Sequence, residues 1–304
     1  MAQKVTLITG CSTGIGLTIA AKLGKDAAKK YLVYSTMRNL GKKGELEAAS
    51  GDALNDTMII RPLDVVNDDS VKKCVDDIIK EHGRIDVVIN NAGVASFNPI
   101  EFSPISDVRD VMETNFFGVV RMMQNVLPYM KEQRSGHIIN VSSVAGVLAH
   151  PFYDAYCASK HAVEALTETV ALRMKQFDVK VSSVVPGPIA TNINENLVEG
   201  NRLPPRQKID PITREQLRYL ATHQKYHFEN EVQPVEEVAE IVQKIIEMDL
   251  SNGPVRFQTS DYVRERADMK YSDFGSVTWM NHIRKVIYET ADSDSNPKQD
   301  ESKV

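Results

Sequence analysis

Short runs of apolar, often β-branched residues alternate with amphipathic stretches through the first two thirds of the chain. The runs are apolar at every position rather than at every second one, which is typical of parallel strands covered on both faces. The stretches between them repeat apolar residues at helical spacing. The pattern predicts six strands, at residues 5–9, 31–36, 58–63, 87–90, 137–141 and 179–185. It predicts five helices between them, at residues 16–26, 42–50, 70–82, 105–131 and 154–174.

Strands that alternate with helices in this way predict right-handed crossovers and a doubly wound, parallel α/β sheet. Because no linker rich in proline, glycine or serine divides the chain, we expect one domain over residues 1–290. Residues 192–231 are polar, interrupted by proline and dotted with aromatic residues, which indicates an insertion of short helices that caps a substrate. Helices at 235–248 and 277–288 follow, and the acidic, polar residues 291–304 are typical of a disordered tail.

Composition argues against several classes of function. The 304 residues carry a net charge of −5 at pH 7, which gives no electrostatic basis for nucleic-acid binding. No apolar run approaches the ~20 residues that a membrane span needs. The three cysteines, Cys11, Cys74 and Cys157, are too few and too scattered for a disulfide framework or a metal cage. The N-terminus shows no secretory pattern, so we expect a reducing, cytoplasmic location and no metal.

A glycine-rich turn lies between the first predicted strand and the first predicted helix. Its spacing is Gly-x3-Gly-x-Gly, which differs from the Gly-x-Gly-x-x-Gly of many dinucleotide sites. Glycines let the backbone turn tightly and approach a pyrophosphate, whose charge is favoured at the helix N-terminus. An ordinary turn of small residues would look similar, but the flanking strand and helix favour a dinucleotide site. Its candidate residues are Gly10, Ser12, Thr13, Gly14, Ile15 and Gly16.

The end of the second predicted strand bears on which dinucleotide binds. An NAD site has an acid about 20 residues after the glycines, where it accepts a hydrogen bond from the ribose 2′-hydroxyl. This chain instead has Ser35-Thr36-Met37-Arg38, and an arginine fork suits a 2′-phosphate. Arg38 could also be an ordinary surface arginine, but the pattern favours NADP(H) over NAD(H). Asp64, after the third predicted strand, could accept from the adenine amino group or could cap a helix.

The fourth predicted strand ends in Asn90-Asn91-Ala92-Gly93. Small residues at the carboxyl end of a strand let the backbone approach the ribose of a cofactor, and asparagine side chains can hold the loop. We therefore predict that Asn91, Ala92 and Gly93 contact the cofactor. A simple asparagine-rich turn is the alternative.

Tyr156 and Lys160 are four residues apart in a predicted helix, so their side chains lie on the same face. The reference pKa of tyrosine is about 10, too high for ready proton exchange near pH 7. A nearby ammonium, with the positive charge of oxidised nicotinamide, stabilises the phenolate and lowers that pKa. Ser143, after the fifth predicted strand, can orient a substrate oxygen. One such pair can arise by chance among ten tyrosines, but its place after a nucleotide loop favours an active site.

In order and spacing these motifs resemble the short-chain dehydrogenase/reductase family over residues 4–191. The resemblance rests on the glycine turn, Asn90-Asn91-Ala92-Gly93, Asn115, Ser143, Tyr156-x3-Lys160 and Pro186-Gly187-x3-Thr191. It implies a single Rossmann-type catalytic domain that transfers a hydride to or from a nicotinamide. It also implies a homodimer formed through the long helices that hold Asn115 and Tyr156.

The same resemblance implies a role for each matching residue. Tyr156 would be the general acid and base, and Ser143 its hydrogen-bond partner. Lys160 would bind the nicotinamide ribose and lower the pKa of Tyr156, and Asn115 would hold a water of the proton relay. A polar residue that faces solvent from a helix is the alternative for Asn115. The carboxamide side of the nicotinamide would lie against Pro186, Gly187, Ile189 and Thr191.

Residues 36–43, 114–118, 152–156 and 238–240 resemble the branch that holds 17β-hydroxysteroid dehydrogenase type 1 and photoreceptor-type retinol dehydrogenase. This resemblance implies that Arg38 and Thr13 contact the 2′-phosphate of NADP(H). It also implies a lipophilic alcohol or ketone, of the steroid or retinoid class, as substrate.

The substrate would then contact Ser143 and Tyr156 on its polar side. Leu148 and Phe152 are compatible with an apolar cleft around the rest of the molecule. Plain core packing explains each apolar residue equally well.

Two other functions remain open. An epimerase or dehydratase of the extended relatives would keep Tyr-x3-Lys, but those enzymes generally have Gly-x2-Gly-x2-Gly, unlike this chain. A catalytically silent nucleotide sensor or scaffold could keep the fold and bind partners. Because Ser143, Tyr156 and Lys160 are all present, we predict an NADP(H)-dependent alcohol dehydrogenase or carbonyl reductase.

Overall fold

The computed structural model describes residues 3–189, 209–230, 232–250, 253–273 and 275–285, and these form one parallel sheet between two layers of helices. Its seven strands lie in the order β3-β2-β1-β4-β5-β6-β7. They are β1 Lys4–Ile8, β2 Tyr31–Met37, β3 Met58–Pro62, β4 Val87–Asn90, β5 Gly136–Val141, β6 Val179–Val185 and β7 Arg256–Gln258.

Ten α-helices are described in the same residues. In chain order they are α1 Gly14–Gly24, α2 Gly44–Ser50, α3 Asp68–His82, α4 Ile105–Met112, α5 Gly118–Gln133, α6 Asp154–Met174, α7 Pro211–Asn230, α8 Val235–Glu247, α9 Asp261–Tyr271 and α10 Val277–Arg284. Apolar residues of α3, α5 and α6 form one core cluster with the sheet, and those of α1, α2 and α8 form another.

Successive strand residues face opposite layers, so both must be apolar. In β1, for example, Leu7 belongs to the cluster with α3, α5 and α6, whereas Ile8 belongs to the cluster with α1 and α8. Both are fully buried. This alternation explains why the strands are apolar throughout, and why six of the seven were predictable from the sequence.

The order of the strands reverses at β1, which lies between β2 and β4. Leu7 pairs with Val88 and Ile8 with Ile89, so the carboxyl ends of β1 and β4 lie side by side. The chain leaves β1 toward one edge of the sheet and later leaves β4 toward the other. Such a reversal opens a crevice at the carboxyl ends of the strands, where doubly wound folds bind ligands.

The structure corrects the predicted elements at four places. One is helix α9, Asp261–Tyr271, which the sequence pattern did not predict. The sheet has a seventh strand, because the edge strand β7 is only Arg256-Phe257-Gln258 and has no apolar run. The helix predicted at 105–131 is divided by a π-helical turn at Glu113–Phe117. Within the predicted insertion of short helices, Pro211–Asn230 is instead one helix of 20 residues. The predicted tail at 291–304 lies outside the described residues.

Candidate active site

The loops after β1 and β4 are joined by the side chains of Thr9 and Asn91. The Asn91 amide nitrogen donates to the carbonyl oxygens of Thr9 and Gly10, at 2.9 and 3.0 Å. The Thr9 hydroxyl accepts from the backbone N–H groups of Asn91 and Ala92, at 3.0 and 3.1 Å. Four hydrogen bonds therefore fix the two sides of the crevice relative to each other.

Two glycines of the turn are required by this junction. Gly10 has a φ of +72°, and a Cβ there would lie 2.7 Å from the Cα of Ala92. A Cβ on Gly16 would overlap the side-chain nitrogen of Asn91. Gly14 also has a positive φ, of +58°. The glycine spacing thus serves close packing of the two loops as well as approach to a ligand.

Helix α1 begins directly after the glycine turn that follows β1. Within the described chain, the Thr13 side chain makes no capping hydrogen bond, and the first turn contains no acidic residue. Ser12, Thr13 and Ile15 are half-buried. Uncapped N–H groups and the positive end of the helix dipole suit a phosphate group. The residues present therefore fit the pyrophosphate of a dinucleotide.

Arg38 and Asp64 follow the neighbouring strands β2 and β3. Arg38 is exposed directly after β2, whose last residues carry no carboxylate. The Asp64 carboxylate accepts from the backbone N–H of Val66 at 3.2 Å, while Asn67 caps α3 by accepting from the N–H of Ser70 at 2.8 Å. Helix capping, one alternative for Asp64, is therefore performed by Asn67.

Tyr156, Lys160 and Ser143 come together where β5 leads into α6. The Lys160 ammonium donates to the carbonyl of Val141, the last residue of β5, at 2.9 Å, and lies 5.8 Å from the centroid of the Tyr156 ring. Ser143 forms a hydrogen bond with Tyr156. Its hydroxyl also accepts from the N–H of Ala145 at 3.1 Å. Tyr156 and Lys160 are buried, and Ser143 beside them is half-buried.

Burial controls the titration of this group. It raises the pKa of Tyr156 to about 12, although the hydrogen bond with Ser143 acts in the other direction. Burial also lowers the pKa of Lys160 to about 8, against the attraction of the Glu164 carboxylate one turn further along α6. We expected the lysine to acidify the tyrosine. In the protein itself the pKa of Tyr156 is raised instead of lowered. Burying the charged phenolate costs more free energy than the hydrogen bond with Ser143 recovers.

Asn115 lies in the π-helical turn and is almost fully buried. Its amide oxygen accepts from the N–H of Val94 at 2.8 Å, and its amide nitrogen donates to the carbonyl of Val94 at 2.9 Å and to the hydroxyl of Ser159 at 3.0 Å. Ser159 in turn donates to the carbonyl of Tyr156 at 2.7 Å. The solvent-facing alternative is wrong, because Asn115 connects the loop after β4 to α6.

Gly93 lies close to both Asn115 and Lys160. A Cβ on Gly93 would lie 3.2 Å from the amide oxygen of Asn115 and 3.7 Å from the Lys160 nitrogen. The small residues after β4 are thus needed beside the buried lysine.

The loop after β6 borders the site from the other side. The carbonyl of Pro186 accepts from the N–H of Val144 at 2.7 Å, which fixes this loop to the turn after Ser143. Gly187 packs against Tyr262 of α9, and Ile189 is buried and bridges to Gln233. Thr191, the last predicted cofactor residue, lies outside the described residues.

The two predicted apolar substrate residues differ in their surroundings. Leu148 is fully buried in a cluster with Val147, Val185 and Trp279, which is the packing role that the sequence left open. Phe152 has a φ of +68°, a strained conformation for a bulky residue, and is half-buried.

An aromatic row extends from Phe152 to Tyr156. Phe97 packs edge-on against Phe152 and Tyr153, with ring centroids 6.2 and 5.1 Å apart, and Tyr153 packs against Tyr156 at 6.2 Å. Next to Phe97, the side-chain amide of Asn98 is buried without a hydrogen-bond partner among the described residues. Phe97, Asn98 and Ser159 were missed by sequence reasoning, since no motif or periodicity marks them, and Thr9 opens the glycine motif but was given no role.

Two negative findings apply to the described part of the chain. It contains no cluster of three or more histidine, cysteine or acidic side chains able to hold a metal ion. None of its helices is both long and apolar enough to cross a membrane.

A crevice at the reversal of a parallel sheet, with an uncapped helix N-terminus beside it, defines a doubly wound α/β protein of the dinucleotide-binding class. The particular family follows from comparison with known proteins. Residues 4–202 match the profile of the short chain dehydrogenases, and the chain belongs to this family. Members of this family bind NAD or NADP.

Similar proteins include retinol and steroid dehydrogenases. Retinol dehydrogenase 8 from Bos taurus is 41% identical over 248 residues, covering 81% of this chain and 78% of the bovine protein. Human 17-beta-hydroxysteroid dehydrogenase type 1 is 37% identical over 243 residues, covering 79% of this chain and 73% of the human protein. A solved short chain dehydrogenase/reductase from Burkholderia phymatum, in complex with NAD, has a TM-score of 0.75 at 25% identity, covering 90% of this chain and 94% of that one. The chain is an oxidoreductase of this family.

Proposed function

We propose that this protein is an NADP(H)-dependent oxidoreductase that interconverts a hydroxyl and a carbonyl group on a lipophilic substrate of the retinoid or steroid class. The observation that carries the proposal is the grouping of buried Tyr156 and Lys160 with half-buried Ser143 at the carboxyl edge of the sheet, next to the crevice. The similarity to retinol and 17-beta-hydroxysteroid dehydrogenases supports the substrate class.

Proton transfer is assigned to Tyr156. Burial raises its pKa to about 12, so the phenol is protonated at neutral pH. Donation of that proton to a carbonyl oxygen during reduction would rely on Lys160 and on the positive charge of the oxidised nicotinamide, which stabilise the phenolate that remains. In oxidation the same oxygen takes the proton back. Ser143 holds the phenol and orients the substrate oxygen. The nucleotide, when bound, supplies or accepts the hydride.

Lys160 and Asn115 would support this step. The Lys160 ammonium is held by the Val141 carbonyl and would bind the nicotinamide ribose. Asn115 fixes the loop after β4 to the helix of Tyr156, and its predicted water would continue the proton relay.

The preference for NADP(H) is supported by the two sides of the glycine turn. Arg38 is exposed immediately after β2, where an NAD site would have an acid. Thr13 is half-buried just before α1, with its hydroxyl not engaged in capping within the described chain. Both would contact the 2′-phosphate, while Ser12, Gly14 and Ile15 would contact the pyrophosphate, and Asp64 the adenine.

The lipophilic substrate is supported by the aromatic row beside Tyr156. Phe97, Phe152 and Tyr153 would form an apolar wall that ends at the catalytic phenol. An apolar substrate gains free energy by leaving water for such a wall, at roughly 25 cal/mol per Å² buried.

We also propose a homodimer formed through α5 and α6. Their outward faces border a groove of about 820 Å³ whose apolar lining includes Met123, Leu127, Leu166, Val170 and Phe177. Leu172, on α6, has 78% of its surface exposed. A second copy would cover these residues, and light scattering after size exclusion tests the assembly. The cytoplasmic location and the 1–290 domain boundary stay predictions.

The experiment that tests the function measures NADPH oxidation against all-trans-retinal, estrone, androstenedione and aliphatic ketones. We expect turnover with at least one lipophilic carbonyl, faster with NADPH than with NADH, and about 10³-fold slower for Tyr156→Phe. A protein that binds NADPH but reduces no carbonyl of the panel would instead support the nucleotide sensor.

A further inference from the structure

Two side chains of the C-terminal helices donate hydrogen bonds to the loop that joins Ser143 to the helix of Tyr156. The Lys270 ammonium, on α9, donates to the carbonyl of Val147 at 2.6 Å. The indole N–H of Trp279, on α10, donates to the carbonyl of Ala149 at 3.0 Å. Residues 144–150, here called the catalytic loop, are thus bound by side chains more than 120 positions away in the sequence.

Apolar packing reinforces the indole contact. Trp279 is 3% exposed and belongs to a cluster with Val144, Val147 and Leu148 of the catalytic loop. The ring of His150, at the end of the loop, meets the indole edge-on at a centroid distance of 5.7 Å. The loop therefore rests on α10 along most of its length.

Lys270 also reaches the helix that carries the other catalytic residues. His161 directly follows Lys160 on α6, and its Nδ1 lies 2.9 Å from the carbonyl oxygen of Cys157. A carbonyl oxygen can only accept, so Nδ1 carries the proton and Nε2 is the acceptor. The Lys270 ammonium lies 3.4 Å from that Nε2 and donates to it.

One ammonium group therefore connects the loop after Ser143 with the turn of α6 after Tyr156. Lys270 and Trp279 lie outside residues 4–202, the part that matches the short chain dehydrogenase family. The three catalytic side chains lie within the matched residues, whereas Lys270 and Trp279 add contacts to the loop between them from beyond it.

We propose that Lys270 and Trp279 are positioning residues that hold the catalytic loop so that Ser143 and Tyr156 keep their mutual hydrogen bond during the reaction. The inference rests on the proposed function, since it concerns the rate of proton transfer. Misplacement of reacting groups by about 1 Å can cost up to 10²-fold in rate. Nucleotide binding, which depends on the loops after β1 and β4, should be left intact.

The test compares Lys270→Met, Lys270→Arg and Trp279→Phe with Arg264→Met. Arg264 lies on the same helix as Lys270 and makes an exposed ion pair with Asp261 at 2.9 Å, so its variant controls for loss of a charge on α9. For each variant we would measure kcat and KM with the best carbonyl of the panel, NADPH affinity by fluorescence, and hydrogen exchange of the amides of residues 147–150.

For Lys270→Met we expect kcat to fall about tenfold and exchange in the loop to rise about tenfold, with NADPH affinity and the KM for NADPH unchanged within twofold. Lys270→Arg keeps a donor and should recover most of kcat. Trp279→Phe keeps an aromatic ring but loses the indole N–H. Its kcat should fall and its loop exchange should rise by smaller factors than in Lys270→Met.

A kcat for Lys270→Met equal to that of Arg264→Met would overturn the proposal, whether or not exchange changes. So would unchanged exchange in the loop. If Lys270→Met fails to fold, Trp279→Phe decides by the same criteria. If the wild-type protein reduces no carbonyl, the proposed function fails, and the exchange rates then decide separately whether these two side chains hold the loop.

Discussion

The two sides of the catalytic site are held in different ways. On the nucleotide side, the loops after β1 and β4 are joined by Thr9, Asn91 and close glycine packing, all within 100 residues of the N-terminus. On the substrate side, the catalytic loop is held by Lys270 and Trp279, and Phe152 keeps a strained backbone against Phe97. Two sequence motifs about 80 positions apart fix the first side, whereas side chains of the C-terminal helices, more than 120 positions away, hold the loop of the second.

Because the two sides of the site are held separately, a substitution can lower the rate of catalysis without lowering the affinity for the cofactor. Tyr156→Phe removes the phenol proton while leaving the crevice intact, so kcat should fall about 10³-fold with NADPH affinity unchanged. Tyr129→Phe, which removes a part-buried hydroxyl bonded to Asp76 on the side of α5, is the matched control and should be neutral. Steady-state rates and fluorescence titration check both. Near-normal turnover by Tyr156→Phe would remove the tyrosine from the proton-transfer step.

The difference between the two sides also decides what the sequence could predict. Six strands could be predicted because buried parallel strands are apolar at every position. The glycine turn and Tyr156-x3-Lys160 could be recognised because each is defined by the spacing of residues close together in the sequence. The edge strand β7 has a single apolar residue, Phe257, and shows no such run. The contacts of Lys270 and Trp279 depend on which distant segments meet, which no local pattern records.

On the nucleotide side the largest expected effect is at Arg38. In Arg38→Asp a carboxylate replaces the guanidinium beside the predicted 2′-phosphate, so NADPH should bind about 100-fold more weakly, while NADH binding should hold or improve. The ratio of the two dissociation constants, measured by fluorescence, is its own control. Equal losses for both nucleotides would show that Arg38 does not contact the phosphate.

A smaller effect should follow from breaking the loop junction itself. The methyl group of Gly16→Ala would overlap the Asn91 amide, so unfolding free energy should fall by about 1–3 kcal/mol and nucleotide affinity should fall with it. Gly44→Ala is the matched control, since a Cβ there meets nothing within 4 Å at the start of α2. Urea titrations measure the free energy of unfolding of each variant. Equal stability of both variants would mean that the loops do not pack as described.

Lys160 lies near Gly93 on the nucleotide side and near Tyr156 on the substrate side. Loss of its proton should therefore limit activity at alkaline pH. Its lowered pKa, about 8, means that the ammonium is present below pH 8 and is lost as the pH rises through that value. Because the Tyr156 pKa is about 12, the phenol stays protonated there. We therefore expect kcat/KM for carbonyl reduction to be flat below pH 8 and to fall toward tenfold per pH unit above it. A flat profile to pH 10 would contradict this assignment.

The smallest effect should come from Phe152, and it should be confined to the substrate side. Phe152→Ala removes the edge-on contact with Phe97 and shortens the apolar wall, so the KM for a lipophilic carbonyl should rise about fivefold, the equivalent of roughly 40 Å² of lost apolar contact. The KM for NADPH should not change. Phe152→Gly relieves the positive φ as well and should be more stable than Phe152→Ala, with the same KM. If either variant instead weakened NADPH binding, the two sides of the site would not be independent, and the aromatic row would have to be assigned to the cofactor.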